Sequence, residues 1–244
     1  MVIYVVIWLF GCLYIYLYVI NQIYTNMKLI AFQNLKGGVG KSTLTSMVAN
    51  YLHKEKKKKL IVLDCDPRQG TLIELRKDEI DCSENESYQL VKVNPENAYD
   101  YIKDVFSDYD FIFIDLPGSL DQKGVLTTIH LIDYVFIPTR TNKTDLRSTF
   151  KYIDVYNEKI KPWRNEKNLD INLNMVINFA EANTLEHKEF YENKESLTIN
   201  VLDNPVPKLN NIARNISTIN VYKDSTKDKE RLKMFCEEIY KIIN

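Results

Sequence analysis

Charge is absent from the first 26 residues, although the chain carries 32 basic and 33 acidic residues. The two signs nearly cancel, to a net charge of −1, so any nucleic-acid contact must come from a local patch. The four cysteines form no CxxC pair, which argues against a zinc ribbon, an iron–sulfur carrier or a thioredoxin-type site and suits a reducing cytosol. A 45% apolar content excludes a disordered chain.

The uncharged segment has two interpretations. Residues 1–20 are apolar or aromatic at every position except Gly11, and a helix of this length spans about 30 Å, the hydrocarbon thickness of a bilayer. A signal peptide fits less well, because no basic region precedes the run and no small-residue cleavage site follows it. Met27, however, opens the string MKLIAFQNLKGGVGKST, in which an apolar run and a glycine-rich loop make a complete beginning for a folded domain. We therefore expect residues 1–26 to be an over-extended start rather than a transmembrane segment, and residues 27–244 to form one domain.

After Met27, short apolar runs alternate with longer amphipathic ones. The predicted strands are 28–33, 60–64, 88–93, 111–115, 134–138 and 171–179. The main predicted helices are 41–53, about 95–106, and 227–243, the last with an apolar face of Leu232, Phe235, Ile239 and Ile242. This alternation predicts an α/β fold, in which a mostly parallel sheet lies between two layers of helices.

A glycine-rich loop joins the first predicted strand to the first helix and reads KGGVGKST over residues 36–43. Such a loop is typical of phosphate binding, because backbone N–H groups and the helix N-terminus converge on phosphate oxygens. The nucleotide-binding residues are expected to be Gly37, Gly38, Val39, Gly40, Lys41, Ser42 and Thr43. Lys41 would reach the β- and γ-phosphates, and the Ser42 hydroxyl would ligate Mg²⁺. In place of the usual first glycine stands Leu35, followed by a second lysine, Lys36.

This string resembles the deviant Walker A motif, KGGxGK[ST], of the ParA/MinD superfamily of P-loop ATPases, and most closely the Soj-like ParA partitioning ATPases. The resemblance implies a three-layer P-loop NTPase fold, with ATP and Mg²⁺ as cofactors. It also implies a slow ATP hydrolysis that a partner protein stimulates. In that family the first lysine reaches the nucleotide of the other subunit, so the resemblance gives Lys36 a catalytic role across a homodimer interface, beside Lys41.

The end of the second strand extends the resemblance. Asp64-Cys65-Asp66-Pro67 is similar to the DxDPQ motif of the family, with Arg68 in place of the glutamine. There the second aspartate positions or activates the attacking water and the first supports the metal shell. The resemblance therefore implies a catalytic role for Asp66 and a metal-supporting role for Asp64.

A third sharp motif, at Asp115, and two weaker matches, at Asn178 and Pro207, complete the resemblance. Asp115, at the end of 111–115, resembles the Walker B aspartate, which would hold Mg²⁺ through water; Pro117-Gly118 follows where the family usually has two prolines. Asn178 and Pro207 fall where the family contacts the adenine. The resemblance covers residues 27 to about 215.

The resemblance favours an ATP-switched dimer that partitions a plasmid, a chromosome region or a mobile element. Nonspecific DNA is a possible partner, with Lys188, Lys208 and Arg214 as candidate contacts. The chain would then be cytoplasmic, or nucleoid-associated where it binds DNA.

The alternative is a MinD-like regulator that positions itself at a membrane. MinD-like proteins end in a basic amphipathic helix, whereas the C-terminal segment here includes Glu237 and Glu238. Membrane anchoring would follow if residues 1–20 are translated. The missing CxxC disfavours an iron–sulfur scaffold ATPase, and Lys36 argues against a metabolic kinase.

Overall fold

The predicted alternation of strands and helices is present in the computed structural model, which describes residues 27–66, 71–80, 87–105, 108–170, 172–208, 218 and 226–244. The strands are β1 (Lys28–Phe32), β2 (Leu60–Asp64), β3 (Gln89–Lys92), β4 (Phe111–Asp115), β5 (Tyr134–Thr139), β6 (Asn172–Ile177) and β7 (Asn200–Val201). The helices are α1 (Lys41–Lys54), α2 (Thr71–Ile80), α3 (Ala98–Val105), α4 (Val125–Leu131), α5 (Lys143–Val155), α6 (Lys161–Glu166), α7 (Leu185–Asn193) and α8 (Thr226–Ile243). The segment 1–26, Pro67, Arg68 and Arg214 lie outside the described residues.

The seven strands form one sheet in the order β3-β2-β4-β1-β5-β6-β7, and every described pair of neighbours is parallel. β1 lies between β4 and β5, so the loop after β1 leaves the middle of the sheet at its carboxyl edge. β2 and β4 pair in a register that sets Asp64 opposite Asp115. The carboxyl edge of a parallel sheet is where ligands bind in such folds, and the topology brings the predicted motifs to this edge.

The two faces of the sheet are buried by different helices. Leu29 and Ala31 belong to an apolar cluster with side chains of α3, α4 and α5. Ile30 and Phe32 belong to a second cluster with side chains of α1 and α8. Because successive strand residues point to opposite faces, burial on both sides requires the continuous apolar runs seen in the sequence.

The structure confirms the six predicted strands to within two residues at each end and, among the described residues, adds a seventh strand, β7. β7 is only two residues long, too short to give an alternation signal. The helix predicted from Pro95 begins with a 3₁₀ turn, Pro95–Asn97, before α3. In α8 the buried stripe ends at Ile243, one residue beyond the predicted Ile242, which is only partly buried.

Among the residues that the structure describes, no helix is both long enough and apolar enough to cross a bilayer.

Candidate nucleotide-binding site

The loop between β1 and α1 has the backbone shape that its glycines allow. Gly38 and Gly40 adopt left-handed φ angles of 70° and 91°, a region that residues with a Cβ rarely adopt. Gly40 is the N-cap of α1 and caps it with no side chain. The first amides of α1 are therefore not occupied by a side-chain cap and are available to an anion, as phosphate binding at a helix N-terminus requires.

Asn178 supports this loop from the end of β6. Its side-chain Nδ2 donates to the Val39 carbonyl at 2.8 Å, and its Oδ1 accepts the Phe179 N–H at 2.9 Å. A Cβ built on Gly40 would overlap Asn178 Nδ2. Asn178 is buried and holds the loop backbone in place. The adenine contact expected of it remains a prediction.

The segment around Pro207 lies beside the same strand end. Pro207 pairs with Ala180 in a parallel bridge, the Ala180 N–H donates to the Val206 carbonyl at 2.8 Å, and the Lys208 N–H donates to the Ala180 carbonyl at 3.0 Å. These bonds place Pro207 beside Ala180, which follows Asn178 by two residues. An adenine contact by Pro207 likewise remains a prediction.

Asp115 is a buried carboxylate next to Ser42, the residue whose hydroxyl is predicted to ligate Mg²⁺. It forms a side-chain hydrogen bond with Ser42, and its Oδ1 has no hydrogen-bond partner among the described residues. Burial raises the pKa of Asp115 to about 7, an effect that the Ser42 hydrogen bond opposes and the neighbouring Asp64 reinforces. A buried carboxylate beside a hydroxyl provides the hard oxygen donors that Mg²⁺ prefers.

Lys41 lies close enough to Asp115 and Asp66 to be influenced by their charges. Burial lowers the pKa of Lys41, while the charges of Asp115 and Asp66 act to raise it. A Cβ built on Gly118 would lie 3.4 Å from Lys41 Nζ and 3.0 Å from the Leu35 carbonyl oxygen. The loop after β4 thus packs closely on the phosphate loop, at the position where the family usually has its second proline.

Asp64 organises the chain after β2. Its Oδ1 accepts the Asp66 N–H and its Oδ2 accepts the Ile73 N–H, both at 3.3 Å, and burial raises the pKa of the carboxyl. The two bonds connect the start of the loop to the first turn of α2. Asp66 is half-buried at the same strand end. The structure therefore brings both aspartates to the phosphate loop, while their metal and water-positioning roles stay predictions.

Gln33 and Asn34 were missed by the sequence interpretation. Gln33 Nε2 donates to the Pro117 carbonyl at 2.9 Å, and Asn34 Nδ2 donates to the Pro138 carbonyl at 2.9 Å. Both residues are fully buried, and they tie the phosphate loop to the ends of β4 and β5. The available signal was two polar residues placed directly between an apolar strand and a glycine-rich loop.

A second group of missed residues surrounds Lys36. Lys36 forms an ion pair with Asp145, a buried residue in the first turn of α5. Arg140 approaches the same carboxylate at 3.7 Å and donates to the Gly38 carbonyl at 3.4 Å. The helix start is fixed by Asn142, whose side chain accepts the Asp145 N–H at 3.0 Å. This ion pair could not be predicted from any local spacing in the sequence, because the two residues are 109 positions apart.

The candidate DNA contacts are dispersed in the chain. Lys208 pairs with Glu181 at 2.6 Å, which partly neutralises it. Lys188 is exposed on α7, and Arg214 lies outside the described residues.

These features together define a P-loop nucleotide-binding protein. They are a parallel sheet, a glycine-rich loop after β1, a lysine and a serine at the start of α1, and an aspartate at the end of β4. The family model for the CobQ/CobB/MinD/ParA nucleotide-binding domain matches residues 30–220. The chain belongs to this family.

The chain is also similar to individual proteins and to solved structures. The chain is 53% identical over 45 residues to protein BBD21 of Borreliella burgdorferi, a match that spans 18% of either chain. It is 26% identical over 180 residues to the maintenance of carboxysome distribution protein A of Halothiobacillus neapolitanus, covering 72% of this chain and 78% of that one. A candidate plasmid partition protein of Borrelia burgdorferi B31, bound to AMPPNP, superposes with a TM-score of 0.63 at 21% identity, over 88% of this chain and 98% of that one.

Proposed function

We propose that the chain is an ATPase of the ParA type, which binds ATP with Mg²⁺, dimerises in the ATP-bound state and hydrolyses ATP slowly until a partner protein stimulates it. The observation that carries this proposal is the convergence of Lys41, Ser42 and Asp115 at the phosphate loop, with Lys36 beside them. The three side chains supply a phosphate-binding cation, a metal-binding hydroxyl and a carboxylate, and the family membership supports their roles.

Mg²⁺ fits the donors that the site offers. Asp115 has a buried oxygen without a hydrogen-bond partner among the described residues, and the Ser42 hydroxyl lies next to it. Within the same described ranges, no three His, Cys, Asp or Glu side chains form a metal cluster. We infer that Ser42, the ATP phosphates and water hold the ion, and that Asp115 acts through water. The ion would neutralise charge on the β- and γ-phosphates.

Lys36 and Asp66 are the residues that we assign to the chemical step. The Lys36 side chain keeps 35% of its surface exposed, so a second protomer has access to it. A cation supplied across the interface would stabilise the charge of the transferring phosphoryl group, as an arginine finger does. Asp66, at the end of β2 and within electrostatic reach of Lys41, would position the attacking water.

The cellular role that we propose is the positioning of a plasmid or another DNA element in the cytoplasm. Support comes from the likeness to a candidate plasmid partition protein and to a protein that maintains carboxysome distribution. The first is named for plasmid partition and the second for carboxysome distribution. An ATP-dependent dimer would act as the switch, because ATP and Mg²⁺ would decide which oligomer is populated.

The test is size-exclusion chromatography with light scattering of the full chain with ATP and Mg²⁺, with ADP and Mg²⁺, and without nucleotide, alongside a phosphate-release assay. We expect a dimer only in the sample with ATP and Mg²⁺, and we expect that sample to release phosphate slowly. Lys41→Ala should lose both properties together with binding of a fluorescent ATP analogue. Retention of ATP affinity by Lys41→Ala would refute the assignment of the phosphate loop.

A further inference from the structure

The two carboxylate oxygens of Asp145 are not equally satisfied. Oδ1 pairs with Lys36. Oδ2 is buried and, among the residues that the structure describes, accepts no hydrogen bond. Arg140 places its Nε 3.7 Å from this oxygen, a distance beyond that of a hydrogen bond. The carboxylate therefore has an unused acceptor, and a second cation lies next to it.

Burial makes this carboxylate dependent on a cation. Only 3% of the Asp145 side chain is exposed. Its backbone is fixed at the start of α5, where the Asn142 side chain accepts the Asp145 N–H at 3.0 Å. A buried carboxylate that loses its ionic partner is strongly destabilising, because neither water nor another charge replaces what is lost. Release of Lys36 from Asp145 is therefore unfavourable unless another cation takes its place.

Arg140 has the position and the shape to replace the lysine. It directly follows β5, and 46% of its side chain is exposed, which leaves it room to move. A movement of about 1 Å would bring Nε to the distance of about 2.8 Å that is typical of a charged hydrogen bond. The planar guanidinium has several N–H donors in a fixed fork, so one arginine can serve both oxygens of a carboxylate, whereas the lysine ammonium is a point charge. Arg140 can thus replace Lys36 and also satisfy the unused oxygen.

Arg140 has a second set of contacts, away from the carboxylate. Its guanidinium lies over the ring of Phe179, 4.6 Å from the ring centroid, and its Nη2 donates to the Gly38 carbonyl at 3.4 Å. Phe179 has a left-handed φ of 54°, which is rare for a bulky residue, and the Asn178 side chain accepts its N–H at 2.9 Å. A strained residue thus holds the ring against the arginine. Both contacts are weaker than a charged pair with a carboxylate, so Arg140 can exchange them for that pair.

We propose that Arg140 competes with Lys36 for Asp145 and occupies the carboxylate when Lys36 is released. Arg140 is then a positioning residue, which lowers the free energy needed to free the lysine. The inference rests on the proposed function in one respect, because there the released lysine acts on the nucleotide of a second protomer. The same movement withdraws Arg140 from the Gly38 carbonyl, so release of the lysine also changes a contact of the phosphate loop.

Chemical labelling measures the release of Lys36 in the full chain without nucleotide. The lysines are acetylated with an N-hydroxysuccinimide ester, and mass spectrometry gives the rate at Lys36 relative to the rate at Lys188, which is exposed on α7. Asp145→Asn removes the charge that holds Lys36, so we expect its labelling rate to rise about threefold or more. Arg140→Ala removes the competing cation, so we expect the labelling rate of Lys36 to fall about twofold or more.

Dimerisation provides the second measurement. Sedimentation velocity with saturating AMPPNP and Mg²⁺ gives the dissociation constant of the dimer for each variant. Arg140→Ala should weaken the dimer about tenfold or more, because Lys36 can then leave Asp145 only if a buried carboxylate stays unpaired. Arg140→Lys keeps a cation and should stay within about threefold of the wild type. The matched control, Arg231→Ala, removes one cation from an exposed position of α8 and should dimerise like the wild type.

A double variant separates this role from simple support of the phosphate loop. In Asp145→Asn the carboxylate charge is absent, so the addition of Arg140→Ala should change the dissociation constant of the dimer by less than about twofold. An equal loss of dimer from Arg140→Ala with and without Asp145→Asn would show that the arginine only supports Gly38 or Phe179, and this result would overturn the proposal. Normal dimerisation of Arg140→Ala would overturn it as well.

The labelling assay keeps this proposal distinct from the proposed ATPase, because it needs neither nucleotide nor dimer. If the wild type forms no dimer with AMPPNP but both labelling changes appear, the ATP-dependent dimer fails and the competition for Asp145 stands. If the wild type dimerises and neither variant changes the labelling of Lys36, the competition is refuted and the dimer stands.

Discussion

Lys36 and Asp145 form an ion pair that connects the phosphate loop to the first turn of α5 within a single chain. The carboxylate is almost fully buried, with 3% of its side chain exposed, whereas the lysine is 35% exposed. Arg140 provides a second cation at 3.7 Å from the same carboxylate. A lysine that acts on the nucleotide of another subunit must leave Asp145, and the carboxylate would then keep Arg140 as its neighbour.

Replacing Lys36 with alanine should separate nucleotide binding from dimerisation. We expect the affinity for ATP to stay within about threefold, because Lys41 and the loop amides remain, and the ATP-dependent dimer and phosphate release to fall by about tenfold or more. Isothermal titration measures the affinity for ATP, light scattering with ATP measures the dimer, and a phosphate-release assay measures hydrolysis. Lys188→Ala, on an exposed face of α7, is the control. A Lys36→Ala protein that dimerises and hydrolyses ATP normally would contradict a role across the interface.

Gly40 should be far less tolerant of substitution than Gly37. Alanine at position 40 would require a left-handed φ of 91° and would overlap Asn178 Nδ2, at a cost of about 1–2 kcal/mol for the backbone alone. A Cβ on Gly37 meets nothing within 4 Å in the described structure. We expect Gly40→Ala to lower the melting temperature and weaken ATP binding more than about tenfold, and Gly37→Ala to preserve the melting temperature. Equal effects of the two substitutions would contradict the backbone strain and the Asn178 overlap expected at Gly40.

The sequence allowed the central strands and the phosphate loop to be predicted for a physical reason. Strands buried on both faces are continuous apolar runs, and in a parallel sheet their ends meet at one edge. Asp64 and Asp115 could therefore be placed together before any coordinates. The contacts of Gln33, Asn178 and Asp145 could not, since each joins segments distant in the chain through a specific side-chain geometry that has no local periodicity.

Asp66→Ala should trap the dimer if Asp66 positions the attacking water. Removal of the carboxylate leaves the phosphate loop and Lys36 intact, so ATP should still bind and the dimer should persist while phosphate release falls about a hundredfold or more. Size-exclusion chromatography at intervals after a single addition of ATP measures how long the dimer persists. The lifetime of the variant dimer is compared with that of the wild type. The control is Asp121→Ala at an exposed position. A monomer with bound ATP would count against the dimer model.

The raised pKa of Asp115 makes a prediction about stability and pH. The carboxyl has a pKa of about 7 in the folded protein, chiefly because it is buried, against an ordinary value of 3.8. The folded state then binds more protons than the unfolded state between these values, so the free energy of unfolding should fall as pH rises from about 4 to about 7. Without nucleotide and Mg²⁺, the full loss is on the order of 4 kcal/mol.

Asp115→Asn should remove this part of the pH dependence, because the amide carries no charge at any pH. Urea unfolding at pH 5 and pH 8, without nucleotide and with EDTA, should show a gain in stability for the variant that is larger at pH 8. Asp121→Asn, at an exposed surface position, should follow the wild type at both pH values. Mg²⁺ with ATP should stabilise the wild type more than Asp115→Asn, because the carboxylate brings to the metal shell a negative charge that the amide lacks. If the free energy of unfolding of Asp115→Asn changes between pH 5 and pH 8 as much as that of the wild type, other groups cause the pH dependence.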